Sequence, residues 1–160
     1  LYLSSTFTHW LPHGKAKEVF FTFDQIAIFL MIAATYTPLA LIVLRGPLGW
    51  VILGLEWGLA LTGIILKLLH PSPFAKGVST FYIALYALMG WLLLIAIVPL
   101  IRNMELMGLI WILTGGLCYT IGILFYKKMR FPYHHLVWHL LVLAGSISHF
   151  IAVYFYMIKR

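Results

Sequence analysis

The chain has 160 residues, of which 63% are hydrophobic and 9% charged, with a net charge of +7. A soluble domain carries about 25% charged residues, so the composition excludes most soluble folds and points to a surface that faces lipid. The excess charge reflects 11 Lys and Arg against only four acids, Glu18, Asp24, Glu56 and Glu105, which is sparse for nucleic-acid binding and normal for the ends of membrane helices.

The single cysteine, Cys118, excludes an intramolecular disulfide and a multi-cysteine metal site. The chain opens at Leu1 without the basic start, apolar run and small-residue cleavage site of a signal peptide. Residues upstream of Leu1 are therefore expected.

Residues 1–10 read as the last turns of a helix, stopped by Leu11-Pro12-His13-Gly14. Five apolar runs follow, at about 20–44, 48–69, 79–100, 106–126 and 132–157. Each is close to the roughly 20 residues that cross a bilayer as a helix, and their continuous rather than alternating pattern argues against barrel strands. Turn residues separate them: Arg45-Gly46-Pro47, His70-Pro71-Ser72-Pro73, Arg102-Asn103 and the Lys127–Pro132 segment. The expected fold is an all-α polytopic transmembrane bundle, with residues 1–160 forming a single transmembrane domain.

The basic residues sort by side. Lys15, Lys17, Lys67, Lys76, Lys127, Lys128 and Arg130 fall on one side; Arg45, Arg102, Lys159 and Arg160 fall on the other. The positive-inside rule makes the first side cytoplasmic and places the C-terminus outside. The expected location is the cell membrane, in contact with lipids.

Ionisable groups within spans are costly and point to function. They are His9, Asp24, Glu56, His135, His139 and His149, with Lys67 able to snorkel from its helix end. In Pro132-Tyr133-His134-His135-Leu136-Val137-Trp138-His139, positions 135 and 139 share a helix face. Two such imidazoles can hold a metal, although the spacing alone also suits two independently hydrogen-bonded histidines. The expected topology brings His9, at the inner end of the first segment, to the same side. Asp24, about one turn into the next run, is expected at the depth of His139, on the order of 7–10 Å inside the boundary.

Three histidines leave one position of a tetrahedral zinc site open, the catalytic pattern. Asp24 is placed to orient water or a histidine, and Ser5, four residues before His9, to point its hydroxyl at the same site. His134 is expected to be solvated. Glu56 and His149, each about eight residues from the outer end of its run, are expected to pair. Pro38, in Thr35-Tyr36-Thr37-Pro38, predicts a kink with nearby hydroxyls meeting the freed carbonyls. Gly54 and Gly58 form a G-x-x-x-G step suited to close helix packing. Trp10, Trp50, Phe131, Tyr133 and Tyr156 fall where an aromatic belt belongs. A haem reading, with His135 and His149 on one helix, lacks a matching histidine pair on any other run.

Several of these stretches resemble one family when taken together. Ser5-Thr6-Phe7-Thr8-His9 resembles an S-x-x-x-H motif. Asp24-Gln25-Ile26-Ala27-Ile28-Phe29 with Thr35-Tyr36-Thr37-Pro38 resembles a D-x-x-x-I-F…T-Y-T-P motif. Gly115–Gly122, His135–His139 and Gly145–Phe150 resemble the closing third. The ordered set resembles the bacterial hemolysin III family, grouped with the progestin and adipoQ receptors, including adiponectin receptors. One departure is Gln25, where bacterial members often carry histidine.

The resemblance implies a seven-helix fold whose first helix and most of whose second precede Leu1, with a cytoplasmic N-terminus. It implies zinc on His9, His135 and His139, with Asp24 and Ser5 beside it, as in intramembrane enzymes of the alkaline ceramidase type. The expected activity is zinc-dependent hydrolysis of an acyl-chain amide, with Asp24 as general base and Ser5 as hydrogen-bond donor to the oxyanion. The alternative is a non-enzymatic membrane sensor, or a protein of membrane energetics or cytolysis, in which zinc only ties helices together.

Overall fold

The computed structural model describes residues 1–127 and 132–158. The cations expected at Lys128, Arg130, Lys159 and Arg160, and the interfacial Phe131, lie outside the described residues. The protein is all-α: among the described residues the elements are α-helices with short 3-10 and π segments. In order they are α1 (Tyr2–Trp10), α2 (Lys15–Pro38), α3 (Gly46–Leu69), α4 (Thr80–Trp91), α5 (Ile97–Asn103), α6 (Leu106–Lys127) and α7 (His134–Val153).

Five helical stretches among the described residues are long and apolar enough to cross a membrane: Lys15–Leu44, Gly46–Leu69, Thr80–Asn103, Leu106–Tyr126 and His134–Ile158. Their outward faces are apolar. Phe23, Leu61, Ile65, Leu94, Val98, Leu117, Leu140 and Phe150 are all exposed, whereas Glu56, Lys67 and Gln25 are buried. That inverts the arrangement of a soluble domain and suits lipid as the solvent. The chain is an integral, multi-pass membrane protein.

The stretches differ in detail from the apolar runs. Helix α2 starts at Lys15 rather than near 20, with Glu18 in its first turn, where a carboxylate meets the positive end of the helix. Pro38 closes α2, and residues Leu39–Leu44 continue as a π-helix. Proline removes an N–H and crowds the carbonyl four residues back, so a local widening is the expected relief. The nearby hydroxyls do not meet that carbonyl. Thr35 donates to the Met31 carbonyl at 2.7 Å and Thr37 to that of Ala33 at 2.9 Å.

Arg45 and Gly46, at φ +48° and +60°, then turn the chain in the left-handed region. The Arg45 Nε closes the π segment on the Ile42 carbonyl at 2.8 Å. The third apolar stretch is likewise uneven: a 3-10 segment at Leu92–Ala96 separates α4 from α5, and the helix runs on through Arg102 to Asn103.

The fold divides into two compact units, Leu1–Thr37 with Val51–Gly90, and Pro38–Trp50 with Trp91–Arg160. The first unit is built around Phe29, Ala33, Ala60, Tyr82, Tyr86 and Met89. The Phe29 ring meets that of Tyr86 at 4.5 Å between centroids, and it lies where any side chain at Gly63 would project. Hydroxyl bonds stitch the helices: Tyr86 donates to the Gln25 carbonyl at 3.0 Å and Tyr36 to that of Gly90 at 2.9 Å. The Trp57 indole N–H reaches the Thr37 hydroxyl at 3.1 Å. Gly54 and Gly58 do not serve close packing here. Both are exposed, and a Cβ at either would meet nothing within 4 Å.

In the second unit α6 packs along α7. Glycines at a seven-residue spacing on α6 make room for large side chains. Gly108 faces Tyr156, Gly115 faces His149 and Gly122 faces Trp138. Tyr119 returns the contact against Gly145 and hydrogen-bonds the Ser146 hydroxyl at 2.9 Å. The Asn103 amide donates to the Val43 carbonyl at 3.3 Å, fixing α5 to the π segment.

Candidate metal centre

In the second unit the site residues stand at the start of α7. Pro132 and Tyr133 form a turn outside the helix, and Tyr133 is the residue before its first turn. The Val137 N–H bonds the Tyr133 carbonyl at 3.1 Å, setting the register. His135 and His139 then project from one face, as side chains four apart must. Their Nε2 atoms lie 3.0 Å apart and their rings are nearly perpendicular, at 87°, with centroids 4.6 Å apart. Both are half-buried. Tyr126 packs at 6.0 Å from the His135 ring and 5.5 Å from Trp138, which itself rests on Gly122.

His134 departs from expectation. It is not simply solvated, because its Nδ1 lies 3.1 Å from the Phe125 carbonyl. A carbonyl only accepts, so Nδ1 carries the proton, and the ring ties α7 to the end of α6. That leaves the neighbouring His135 and His139 as the pair on the other face.

In the first unit His9 sits in the last turn of α1, exposed, with its ring 6.3 Å from that of Phe74. The helix ends as the sequence predicts. The Leu11 N–H bonds the Phe7 carbonyl at 3.0 Å, and the buried Lys17 caps the Leu11 carbonyl at 3.0 Å while its ammonium stands 4.4 Å over the Phe74 ring. The loop is held from the other side as well: Glu18 accepts the Phe74 backbone N–H at 2.7 Å.

Asp24 is nine residues into α2, about 14 Å along its axis, and therefore further from the helix start than the single turn expected. It is half-buried. The Ser4 hydroxyl reaches its carboxylate at 3.4 Å and the Leu1 carbonyl at 2.6 Å. Ser5, the next residue of α1, is buried. The sequence pattern points to Ser5, and Ser4 is signalled only by adjoining it. Gln25 is buried, with its amide donating to the Phe21 carbonyl at 3.3 Å.

Of the two residues expected to pair, the His149 Nε2 is 3.1 Å from the Ile112 carbonyl, and the Glu56 carboxylate oxygens have no hydrogen-bond partner among the described residues. His149 is held by α6, with Tyr119 edge-on at 5.4 Å and Gly115 beneath it.

The donor chemistry suits a borderline-soft cation. Neutral imidazole is a preferred zinc ligand, and the facing Nε2 atoms of His135 and His139 bring two such nitrogens together.

A family model described as Haemolysin-III related matches residues 1–150. Hemolysin-3 of Bacillus cereus is 44% identical over 158 residues, which cover 99% of this chain and 70% of that protein. The Hemolysin-3 homolog of Bacillus subtilis (strain 168) is 42% identical over 159 residues, covering 99% and 73%. The human Monocyte to macrophage differentiation factor is 28% identical over 165 residues, covering 99% and 66%. No solved structure matches significantly. With a matching region that takes in α1 through nearly all of α7, the chain belongs to the haemolysin-III related family.

Proposed function

We propose that His9, His135 and His139 hold one zinc ion, and that residues 1–160 act as one membrane domain that hydrolyses an acyl-chain amide. The observation that carries the reading is the 3.0 Å approach of the His135 and His139 Nε2 atoms, a separation at which two nitrogens either share a proton or bind a common cation. The proposal takes one ring nitrogen from each of the three residues. When bound, the metal supplies Lewis-acid polarisation of a carbonyl.

The chain's own groups do the rest. Asp24 accepts the proton of an attacking water and later returns it to the leaving nitrogen. Ser4 lies within reach of the carboxylate and helps to orient it. Ser5 donates to the oxygen on which charge develops. The apolar outer faces give an acyl chain a path from the bilayer. In this reading the protein lies in the cell membrane with the α7 end outside and the His135 side in the cytosol.

Metal analysis of the purified protein, with an N-acyl lipid hydrolysis assay, tests the reading. Zinc at one per chain, lost in His139→Ala, together with turnover that follows the zinc, is the expected result. Stoichiometric zinc retained in His139→Ala overturns the ligand assignment. Zinc without turnover on any N-acyl lipid favours a metal that only ties helices.

A further inference from the structure

Phe74 stands where two sets of contacts meet, one that fixes its ring and one that reaches His9. It lies in the connection between α3 and α4, at the start of the 3-10 turn Phe74–Lys76. Pro73 before it has φ −59°, and Gly77 after it turns the chain at φ +64°, a conformation glycine adopts without strain. The Lys76 N–H bonds the Pro73 carbonyl at 3.0 Å and the Gly77 N–H bonds the Phe74 carbonyl at 2.9 Å. The turn is therefore closed by its own backbone.

Side chains of α2 clamp it further. Glu18 accepts the Phe74 N–H at 2.7 Å. The Lys17 ammonium stands 4.4 Å over the ring while donating to the Leu11 carbonyl at 3.0 Å. Phe21, one turn further along α2, meets the ring nearly at right angles, 81° with centroids 5.2 Å apart. Lys17 and Phe21 are both buried. A cation over a ring and a perpendicular pair of rings are attractive in this geometry. Backbone and ring of Phe74 are thus held by groups that take no part in the metal reading.

Against the ring so held lies the His9 imidazole, with centroids 6.3 Å apart and planes at 75°. His13, in the loop after α1, meets the same ring at 6.2 Å and 64°. His9 is exposed, in the last turn of α1. An exposed side chain samples several rotamers, and freezing it on a cation costs entropy that a ring already held in place avoids. Groups that orient a ligand imidazole govern how tightly the metal is held. We infer that Phe74 is a positioning residue for His9, presenting its imidazole to the cation from the connection between α3 and α4. The inference rests on the reading of His9 as a zinc ligand, and its effect runs through His9.

The test measures zinc affinity by chelator competition on the full chain in neutral detergent. It compares wild type, Phe74→Leu, Phe74→Tyr, His9→Ala and the double variant carrying Phe74→Leu and His9→Ala. Phe74→Leu keeps apolar bulk but loses the flat ring, and is expected to weaken zinc binding by about 10- to 100-fold, the usual cost of removing a group that orients a ligand. Phe74→Tyr keeps the ring and is expected to bind as the wild type does. In the His9→Ala background Phe74→Leu is expected to have no further effect, because the two residues act through one contact. Wild-type affinity in Phe74→Leu overturns the inference. So does equal weakening in Phe74→Tyr, or an undiminished further loss in the His9→Ala background, which would mark a general loosening of the fold. Failure of the metal reading looks different: zinc absent from the wild type, or held by His9→Ala as tightly as by the wild type, removes the ligand and the inference with it. Should Phe74→Leu not fold, Glu18→Ala frees the Phe74 N–H and leaves every ring in place. Weakened zinc binding there supports the inference, and unchanged binding contradicts it.

Discussion

The Nε2 of His139 lies 3.0 Å from the Nε2 of His135, one helical turn apart on α7. In the metal-free protein that approach is a single hydrogen bond between half-buried rings, worth about 0.5–1.5 kcal/mol. Replacing His139 with Ala removes that bond and is expected to lower stability when unfolding is measured with chelator present. With zinc present the wild type gains stability and the variant does not, because only a ligand of the folded state stabilises it. A variant that gains as much from zinc as the wild type contradicts a ligand role.

The role proposed for Asp24 is proton transfer and not metal binding. Asp24→Asn is expected to keep its zinc while turnover of an N-acyl lipid falls by about 10²–10⁴-fold, the usual contribution of a positioned base. Metal analysis and the rate assay on the same preparation separate the two roles. Loss of zinc in Asp24→Asn would make the carboxylate a ligand instead.

The α3 glycines divide by what surrounds them. A side chain at Gly63 would run into the Phe29 ring, while one at Gly58 would meet open space. Gly63→Leu is expected to destabilise by about 1–3 kcal/mol through overpacking. Gly58→Leu is expected to be neutral, or more stable by up to about 1 kcal/mol from helix propensity. Thermal unfolding in detergent ranks the pair, and the reverse order would contradict the packing described.

Much of this was legible beforehand. Apolar length alone announces the membrane helices, because lipid demands internally bonded backbone and roughly 20 apolar residues per crossing. The spacing of His135 and His139 predicts their meeting, since helical geometry is fixed over four residues. What failed depends on facts that one-dimensional patterns do not carry. Gly54-x-x-x-Gly58 has a packing spacing, yet its helix turns Ile52, Glu56, Ala60, Gly63 and Lys67 inward instead. The seven-residue glycine series at 108, 115 and 122 is the real packing device, and it shows only once its partners Tyr156, His149 and Trp138 are known. Asp24 stands deeper in α2 than its apolar run indicates, because the polar Lys15–Glu18 turn is helical too.

Gly115 tests the glycine series directly. A Cβ there would collide with the His149 imidazole and push its Nε2 from the Ile112 carbonyl, now at 3.1 Å. Gly115→Ala is expected to cost about 2 kcal/mol, combining overpacking with a buried hydrogen bond lost. Zinc content should not change. A stable variant would mean α6 and α7 tolerate separation at this level.

X-ray absorption at the zinc edge, on wild type and His9→Ala, tests the central claim most directly. The account predicts three imidazole rings around the metal in the wild type and fewer, with weakened retention, in His9→Ala. An imidazole count that His9→Ala leaves unchanged, or sulfur scattering from Cys118, would contradict it.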